Sequence, residues 1–231
     1  MDINATGEFL LPGKFPKKTE DEHFERYMFA SKRVKEKKVL DIACGVGYGC
    51  EIYSESGAKH VVGVDILKSN IEYAESKYSA ANISFIEKNI YEIDYKEEFD
   101  VITSFETIEH IENDSLVLKK LYNALKNDGI LMISTPNRKI TSPDTKSIND
   151  KPANEYHTRE YTLGEFKNLV SKNGFRVKNV FGQRNRLYFK FTTMNRVINK
   201  FFKPDEKGNS KLKKNVFTQA RYYTLVLEKI V

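Results

Sequence analysis

Cysteine is scarce and long apolar runs are missing in this chain of 231 residues. Its two cysteines, Cys44 and Cys50, suggest neither a disulfide framework nor a zinc site, so we expect a reducing, cytoplasmic environment. No stretch approaches the roughly 18 uninterrupted apolar residues that a membrane-spanning helix needs. Residues 1–15 lack a basic segment followed by an apolar one, so we expect no signal peptide. No internal repeat or low-complexity tract is present.

The composition supports a folded domain whose excess charge is local. Apolar residues make up 40% of the chain and charged residues 30%, which is enough to bury a sizeable core and excludes wholesale disorder. The formal net charge is +6. Residues 184–215 hold ten Lys and Arg against two acidic residues, so the basic character belongs to this segment and the remainder is slightly acidic.

Strand and helix signals alternate through the middle of the chain. Seven apolar or β-branched runs predict strands at residues 38–43, 60–66, 83–88, 100–105, 129–134, 175–181 and 221–227. Helical segments are predicted at residues 48–56, 68–78 and 114–127, and a capping box of Thr162 and Glu165 begins another. This alternation predicts an α/β fold with a doubly wound, mainly parallel, seven-stranded sheet, which binds ligands at the carboxyl ends of its strands.

Three segments lie outside this alternation. Residues 1–37 form an N-terminal arm or lid with a helical stretch near residues 21–34, and residues 38–231 form the main domain. Residues 135–161 are a long polar link after the fifth strand, and residues 184–215 are an insertion between the last two strands. Long excursions in a compact domain are usually functional lids or disordered, and we expect both to lie on the substrate side.

The strongest motif is a glycine loop between the first strand and the first helix of the sheet. Residues 39–49 read VLDIACGVGYG, so Gly45, Gly47 and Gly49 give the pattern G-x-G-x-G. Glycines at such a turn let a ligand approach the backbone closely. A dinucleotide site would instead require G-x-G-x-x-G, with a glycine where Cys50 stands. An NAD(P) site therefore remains only the weaker alternative.

Two carboxylates accompany this loop. Asp41 lies just before it, where it would repel a pyrophosphate but suits a ligand with an ammonium or sulfonium charge. Asp65 ends the next strand, 20 residues after Gly45, where a carboxylate can accept hydrogen bonds from both ribose hydroxyls. A cationic nucleoside that meets these requirements is S-adenosylmethionine. The residues resemble motifs I and II of the class I methyltransferases, which implies a Rossmann-like methyltransferase fold.

The resemblance extends over about residues 20–181 and implies further cofactor contacts. Asn89 stands where an adenine-contacting Asp is more usual, and its amide oxygen can still accept from the adenine amino group. In ubiquinone-type O-methyltransferases, an arginine at comparable spacing before the loop contacts the methionine carboxylate, and Arg26 matches it here. The full set of cofactor residues implied by motif and resemblance is Arg26, Asp41, Gly45, Gly47, Asp65, Ile66, Asn89, Ile90 and Phe105.

A second motif follows the fourth strand and reads ETIEH. Its spacing predicts that Glu106, Glu109 and His110 share one helical face, where they could bind a divalent cation. The segment is similar to E-x-x-E-H segments of ubiquinone-pathway O-methyltransferases and small-RNA 2′-O-methyltransferases, which implies Mg²⁺ or Mn²⁺ beside the acceptor hydroxyl and adds His157 to the ligands. The alternatives are metal-free proton transfer, with His110, His157 and Glu106 as catalytic residues, and a structural role.

The acceptor is indicated by a weaker resemblance. Residues 26–30, RYMFA, lead towards DIACG as in methyltransferases of bacterial surface-polysaccharide clusters, which implies a glycan or nucleotide-sugar hydroxyl. A quinone or other small-molecule O-methyltransferase is the alternative enzyme, and an RNA-binding methyltransferase-like module without catalysis is the alternative from another class. The basic segment 184–215 could be a packed helix followed by a solvated loop without a binding role. Otherwise it could cover an acidic or phosphorylated acceptor, contact an anionic membrane surface, or bind nucleic acid, which we expect least.

Overall fold

The computed structural model describes residues 10–187, 210–214 and 218–230, which form a mixed α/β sheet with helices on its faces. Its strands are β1 (Lys38–Ile42), β2 (His60–Asp65), β3 (Ile83–Glu87), β4 (Phe99–Phe105), β5 (Leu125–Pro136), β6 (Phe175–Gln183), β7 (Arg186–Leu187), β8 (Lys213–Lys214), β9 (Thr218–Gln219) and β10 (Tyr222–Lys229). Its helices are α1 (Lys17–Ser31), α2 (Tyr48–Glu55), α3 (Lys68–Lys77), α4 (Asp114–Ala124), α5 (Arg138–Thr141) and α6 (Leu163–Lys172).

The sheet confirms all seven predicted strands but is larger and more mixed than predicted. The order is β3-β2-β1-β4-β5-β10-β6-β8. The strands β3, β2, β1, β4 and β5 pair in parallel, whereas β10 runs antiparallel to both β5 and β6. An eighth strand, β8, pairs with β6 at the edge, and β7 with β9 forms a separate two-stranded sheet. These strands of two residues each contain no apolar run, which is the pattern that predicts a buried strand, so the sequence did not predict them.

The central strands are buried because helices cover both faces of the sheet. Leu40 and Ile42 of β1 belong to one apolar cluster, while Val39 belongs to the other, as the alternation of side chains along a strand requires. The predicted capping box at Thr162 is present and begins α6, with Glu165 bonded back to the Thr162 N–H. No helix in the described ranges is long and apolar enough to cross a membrane.

The N-terminal helix α1 packs directly on the glycine loop. A Cβ placed on Gly49 would lie 2.0 Å from the ring of Tyr27, so only glycine leaves space for that ring. Tyr27 also makes edge contacts with Tyr48 and Phe105, with ring centroids 5.1 Å and 5.3 Å away. The arm predicted from the sequence therefore contributes to the wall around the loop.

The two predicted excursions differ in what the structure shows. The link at residues 135–161 returns over the end of β4, because the N–H groups of Thr158 and Arg159 both donate to the carbonyl of Glu109, at 2.8 Å and 3.1 Å. Most of the basic segment 184–215 lies outside the described residues, so the roles expected for it stay predictions.

Candidate active site

A cavity of about 830 Å³ opens at the carboxyl ends of the parallel strands. One end is formed by the glycine loop and by the residues that follow β2 and β3. The other end is formed by the turn after β4, the returning link and the start of β10. Ten residues predicted for the site do line it, namely Gly45, Asp65, Ile66, Asn89, Ile90, Phe105, Glu106, Glu109, His110 and His157. This size and this position at the strand ends are typical of a binding site in an α/β sheet.

Asp65 fixes the glycine loop while facing the cavity. Its Oδ2 accepts from the Gly45 N–H at 2.9 Å, and its Oδ1 accepts from the Leu67 N–H at 2.9 Å and the Asn70 amide at 3.2 Å. Burial raises the pKa of Asp65, and these hydrogen bonds act in the opposite direction. A carboxylate has about four lone-pair sites, and with three of them used, one site on Oδ2 remains for a hydroxyl donor of a ligand.

Gly47 lies on the side of the loop that packs against Ala74 and Phe85, and it is not on the cavity wall in the described structure. Its φ is +83°, and a Cβ there would lie 2.7 Å from Ala74 Cβ and 2.8 Å from the ring of Phe85. Asn89 lines the cavity, and its Oδ1 accepts from the Tyr91 N–H at 3.0 Å, capping a 3-10 turn. The adenine contact predicted for Asn89 would use the remaining lone pair or the amide hydrogens.

Asp41 lies beneath the glycine loop, off the cavity wall. It is fully buried, and its Oδ1 accepts from Thr103 Oγ1 at 2.6 Å. The Cys50 thiol lies 3.8 Å from Oδ2. Burial raises the pKa of Asp41 to about 7, although the hydrogen bonds from Thr103, Tyr27 and Cys50 act against it. The structure thus gives Asp41 contacts that support the loop, and direct contact with a cationic ligand stays a prediction.

Arg26 also lies behind the wall. Its side chain is buried, Nη1 donates to Gln183 Oε1 at 2.7 Å, and its guanidinium carbon lies 5.5 Å from the centroid of the Tyr222 ring. Tyr222 itself lines the cavity. The Nε of Arg26 is buried without a hydrogen-bond partner among the described residues. The predicted contact of Arg26 with a methionine carboxylate stays a prediction.

The helical face predicted for the ETIEH motif is wrong. Glu106 has a φ of +52°, which no α-helix accommodates, and the only helical structure assigned within the motif is a 3-10 turn at Ile108–His110. The Glu106 carboxylate accepts from Ser134 Oγ at 2.6 Å, at the neighbouring strand β5. Glu106 lines the same cavity as the other predicted ligands, but it is not part of the group whose ligand atoms lie within 4.8 Å of one another.

Glu109, His110 and His157 do come together. One potential ligand atom from each lies within 4.8 Å of the others, and the two imidazole rings are perpendicular with centroids 4.8 Å apart. Glu109 is buried, with Oε2 accepting from Thr135 Oγ1 at 3.0 Å. Burial and the nearby Glu106 carboxylate raise the pKa of Glu109 well above its ordinary value. A buried acid with a raised pKa at a cavity wall is typical of a functional site.

The hydrogen-bond partners set the tautomers of both histidines. His110 Nδ1 lies 2.9 Å from the carbonyl oxygen of Tyr156, so this nitrogen carries the hydrogen. His157 Nδ1 lies 2.7 Å from Glu160 Oε1, and its Nε2 lies 2.8 Å from Asn154 Nδ2. Both imidazoles therefore hold a hydrogen on Nδ1 and a lone pair on Nε2 when neutral.

Sequence reasoning missed several residues of the wall. Glu160 holds His157 and also accepts from Thr141 and Ser142; burial alone would raise its pKa, but these hydrogen bonds hold the pKa below its usual value. The spacing of Glu160 three residues after His157 is the one signal that could have found it. Residues of the arm and at the start of β10 were missed because they have no local signal, namely Thr19, His23, Arg221, which precedes the strand, and Tyr222.

Comparison with known proteins agrees with this geometry. A family profile described as a methyltransferase domain matches residues 33–183. A probable S-adenosylmethionine-dependent methyltransferase from Mycolicibacterium smegmatis is 29% identical over 185 residues, which cover 78% of this chain and 68% of that protein. A ubiquinone biosynthesis O-methyltransferase from Bradyrhizobium diazoefficiens is 37% identical over 103 residues, which cover 44% of this chain and 40% of that protein.

A solved structure shows the same fold at low sequence identity. The crystal structure of an S-adenosylmethionine-dependent methyltransferase from Mesorhizobium loti superimposes with a TM-score of 0.63 at 15% identity, covering 90% of this chain and all of that one. At this identity, the likeness concerns the fold alone. The family profile covers more than half of the chain. The chain therefore belongs to the methyltransferase-domain family and is an S-adenosylmethionine-dependent methyltransferase.

Proposed function

We propose that the enzyme transfers a methyl group to a hydroxyl oxygen of an acceptor bound beside Glu109, His110 and His157. The observation that carries the proposal is that this cluster lines the same cavity as Gly45 and Asp65. An unactivated hydroxyl is a poor nucleophile, and it needs a base or a cation to lose its proton during transfer. A cluster of imidazoles with a carboxylate, near the site of a methyl donor, meets that need.

The cofactor end of the cavity suits S-adenosylmethionine, which supplies the methyl group when bound. Asp65 accepts from the Gly45 N–H and retains one lone-pair site, on Oδ2, for a ribose hydroxyl. The loop backbone at Gly45 lies open to the cavity, and Phe105 provides an apolar wall. These residues position the cofactor, and in a displacement reaction such alignment of the two reactants is the main contribution of the protein.

The cluster also has the chemistry of a cation site, with His110, His157 and Glu109 as the residues that would hold the ion. Two imidazole nitrogens with one carboxylate oxygen suit Mn²⁺ better than Mg²⁺, which prefers oxygen ligands. A bound cation would lower the pKa of the acceptor hydroxyl. Glu160 and the Tyr156 carbonyl orient the two imidazoles through Nδ1, as outer hydrogen bonds do in metal sites.

The same geometry supports a metal-free alternative. With Nδ1–H of His157 held by Glu160, the Nε2 lone pair can accept a proton from a hydroxyl once Asn154 gives way. Under this alternative, one histidine would dominate turnover and a chelator would have no effect.

Two acceptor classes follow from different evidence. The N-terminal motif favours a hydroxyl of a glycan or nucleotide sugar, which we retain as the first candidate. The similarity to a protein named as a ubiquinone biosynthesis O-methyltransferase supports a phenolic acceptor instead. Both are oxygen acceptors, so the proposed chemistry is common to them.

The test is an acceptor screen with methyl-labelled S-adenosylmethionine over nucleotide sugars, oligosaccharides, catechols, amines and short RNAs. We expect label on a hydroxyl acceptor, at least a hundredfold loss of turnover in His110→Ala, and little change in its affinity for S-adenosylhomocysteine. Loss of turnover in the presence of a chelator, with recovery of turnover when Mn²⁺ is added, supports the cation mechanism. His60→Ala is the matched control, because His60 begins β2 and does not line the cavity. Label found only on amines would contradict the proposal.

A further inference from the structure

Three arginines surround one tyrosine at the acceptor end of the cavity. The guanidinium carbons of Arg26, Arg184 and Arg221 lie 5.5 Å, 5.8 Å and 5.8 Å from the centroid of the Tyr222 ring. Tyr222 and Arg221 line the cavity, whereas Arg26 and Arg184 do not. Of the three arginines, only Arg221 therefore faces the cavity directly, beside the Tyr222 ring.

Only one of these three charges is balanced by a carboxylate in the described ranges. Arg184 forms a two-pronged ion pair with the buried Glu22, with Nη2 donating to Oε2 at 2.8 Å. Arg26 bonds to the neutral amide of Gln183. Arg221 Nε donates to the Tyr222 hydroxyl at 3.4 Å, and no ion pair involves it among the described residues. The local charge is positive, in a cavity whose other charged wall residues are mostly acidic.

The backbone holds Arg221 firmly at the strand-end edge of the sheet. Its N–H donates to the Gln183 carbonyl at 3.0 Å, and its carbonyl accepts from the Asn137 N–H at 2.8 Å. Arg221 precedes β10, which lies beside β5, two strands from β4 and the turn that carries Glu109. Adjacent strands are about 4.8 Å apart, which puts the backbone of Arg221 roughly 10 Å from the end of β4 and roughly 19 Å from the end of β2.

We propose that Arg221 binds an anionic group of the acceptor, a phosphate or a carboxylate, and so selects acceptors that carry one. This inference rests on the proposed function, since it concerns the acceptor of the same reaction. A guanidinium matches the planar oxygens of both groups with paired hydrogen bonds. The spacing from the Glu109 turn makes the anion and the methylated hydroxyl separate parts of one acceptor, and a neutral acceptor gains nothing from Arg221.

Binding calorimetry on the protein saturated with S-adenosylhomocysteine tests this selection. The probes are two matched pairs, uridine diphosphate against uridine and 3,4-dihydroxybenzoate against catechol. We expect the anionic member of at least one pair to bind at least tenfold more tightly than its neutral counterpart. Arg221→Gln should abolish this preference, and Arg221→Lys should restore part of it. The pair that responds identifies the source of the anion.

The control is Arg176→Gln, because Arg176 lies in β6 with a side chain 69% exposed and pairs with Glu228. Equal binding of both members of both pairs to the wild type overturns the inference. So does a loss of S-adenosylhomocysteine affinity in Arg221→Gln, which would assign the guanidinium to the cofactor carboxylate. The proposed function fails separately, if the anion preference depends on Arg221 but no hydroxyl acceptor is methylated.

Discussion

The two ends of the cavity are built by different means. At the cofactor end, β1 and β2 are neighbours, and the backbone of Gly45 is held by Asp65 across that pair. At the acceptor end, the turn after β4, the returning link and the start of β10 meet from positions up to about a hundred residues apart. The cofactor end therefore depends on backbone geometry, which a side chain at Gly47 or Gly49 would disturb. The acceptor end depends on side chains, which can change without altering the sheet.

The sharpest test of this comparison is at the acceptor end. His157→Ala removes an imidazole of the cluster and should lower kcat by about a hundredfold or more, the usual contribution of proton transfer or hydroxyl activation. Affinity for S-adenosylhomocysteine should stay within about threefold, because His157 lies at the far end from Asp65. Steady-state kinetics and calorimetry on the same preparation check both. A parallel loss of cofactor affinity would mean that the two ends are not separate.

The second prediction concerns the stability of the protein and depends on Asp41, which lies beneath the glycine loop at the cofactor end. Asp41 has a pKa of about 7 in the folded protein, against 3.8 as an ordinary carboxyl. Between these values the folded state keeps a proton that the unfolded state has lost, so the free energy of unfolding falls as pH rises from about 4 to 7. Asp41→Asn keeps an acceptor for Thr103 without the charge. We expect it to be more stable than the wild type at pH 8, by at most about 4 kcal/mol.

Denaturant unfolding at pH 5 and pH 8 measures this difference, and the advantage of Asp41→Asn should shrink towards pH 5. Asp128→Asn is the control, since Asp128 is exposed. A variant that is less stable than the wild type at pH 8 would show that the buried carboxylate is stabilised as an anion.

A smaller effect is expected from Asp65→Ala. The change removes the acceptor of the Gly45 and Leu67 N–H groups together with any ribose contact. Such losses cost about 1–3 kcal/mol, which corresponds to a weakening of S-adenosylhomocysteine binding by roughly 5- to 150-fold. Calorimetry with S-adenosylhomocysteine measures this loss, and Asp128→Ala is the control variant. Unchanged affinity would remove Asp65 from the cofactor site.

The smallest effect belongs to the basic segment. Replacing Lys200, Lys203 and Lys207 with Gln should leave cofactor affinity unchanged and raise the acceptor KM only severalfold, because the segment follows all the cofactor motifs in sequence. Kinetics at two salt concentrations measure this. If neither value moves, the three lysines have no part in acceptor recognition. A strong, salt-sensitive affinity for RNA would instead favour nucleic-acid binding.

Much of the cofactor end could be predicted because its signals are local. A strand, a glycine turn and an acid at the next strand end place Gly45 and Asp65 at one edge by the geometry of parallel strands alone. The shared helical face of Glu106, Glu109 and His110 was predicted wrongly because the spacing argument assumed a helix, whereas the positive φ of Glu106 turns the chain. The cluster of Glu109 with His157 was predicted through resemblance. Arg221 has no local signal, since its position depends on the antiparallel insertion of β10.

The contact between Tyr27 and Gly49 has a consequence for how the domain can be divided. The family profile begins at residue 33 and ends at residue 183, so it omits both α1 and β10. A fragment cut at these limits would lose the ring that covers Gly49, and without β10 the strand β6 would no longer be joined to β5 and the rest of the sheet. The smallest autonomous folding unit is therefore larger than the region of recognisable family sequence, and it closes only when the last strand has been synthesised.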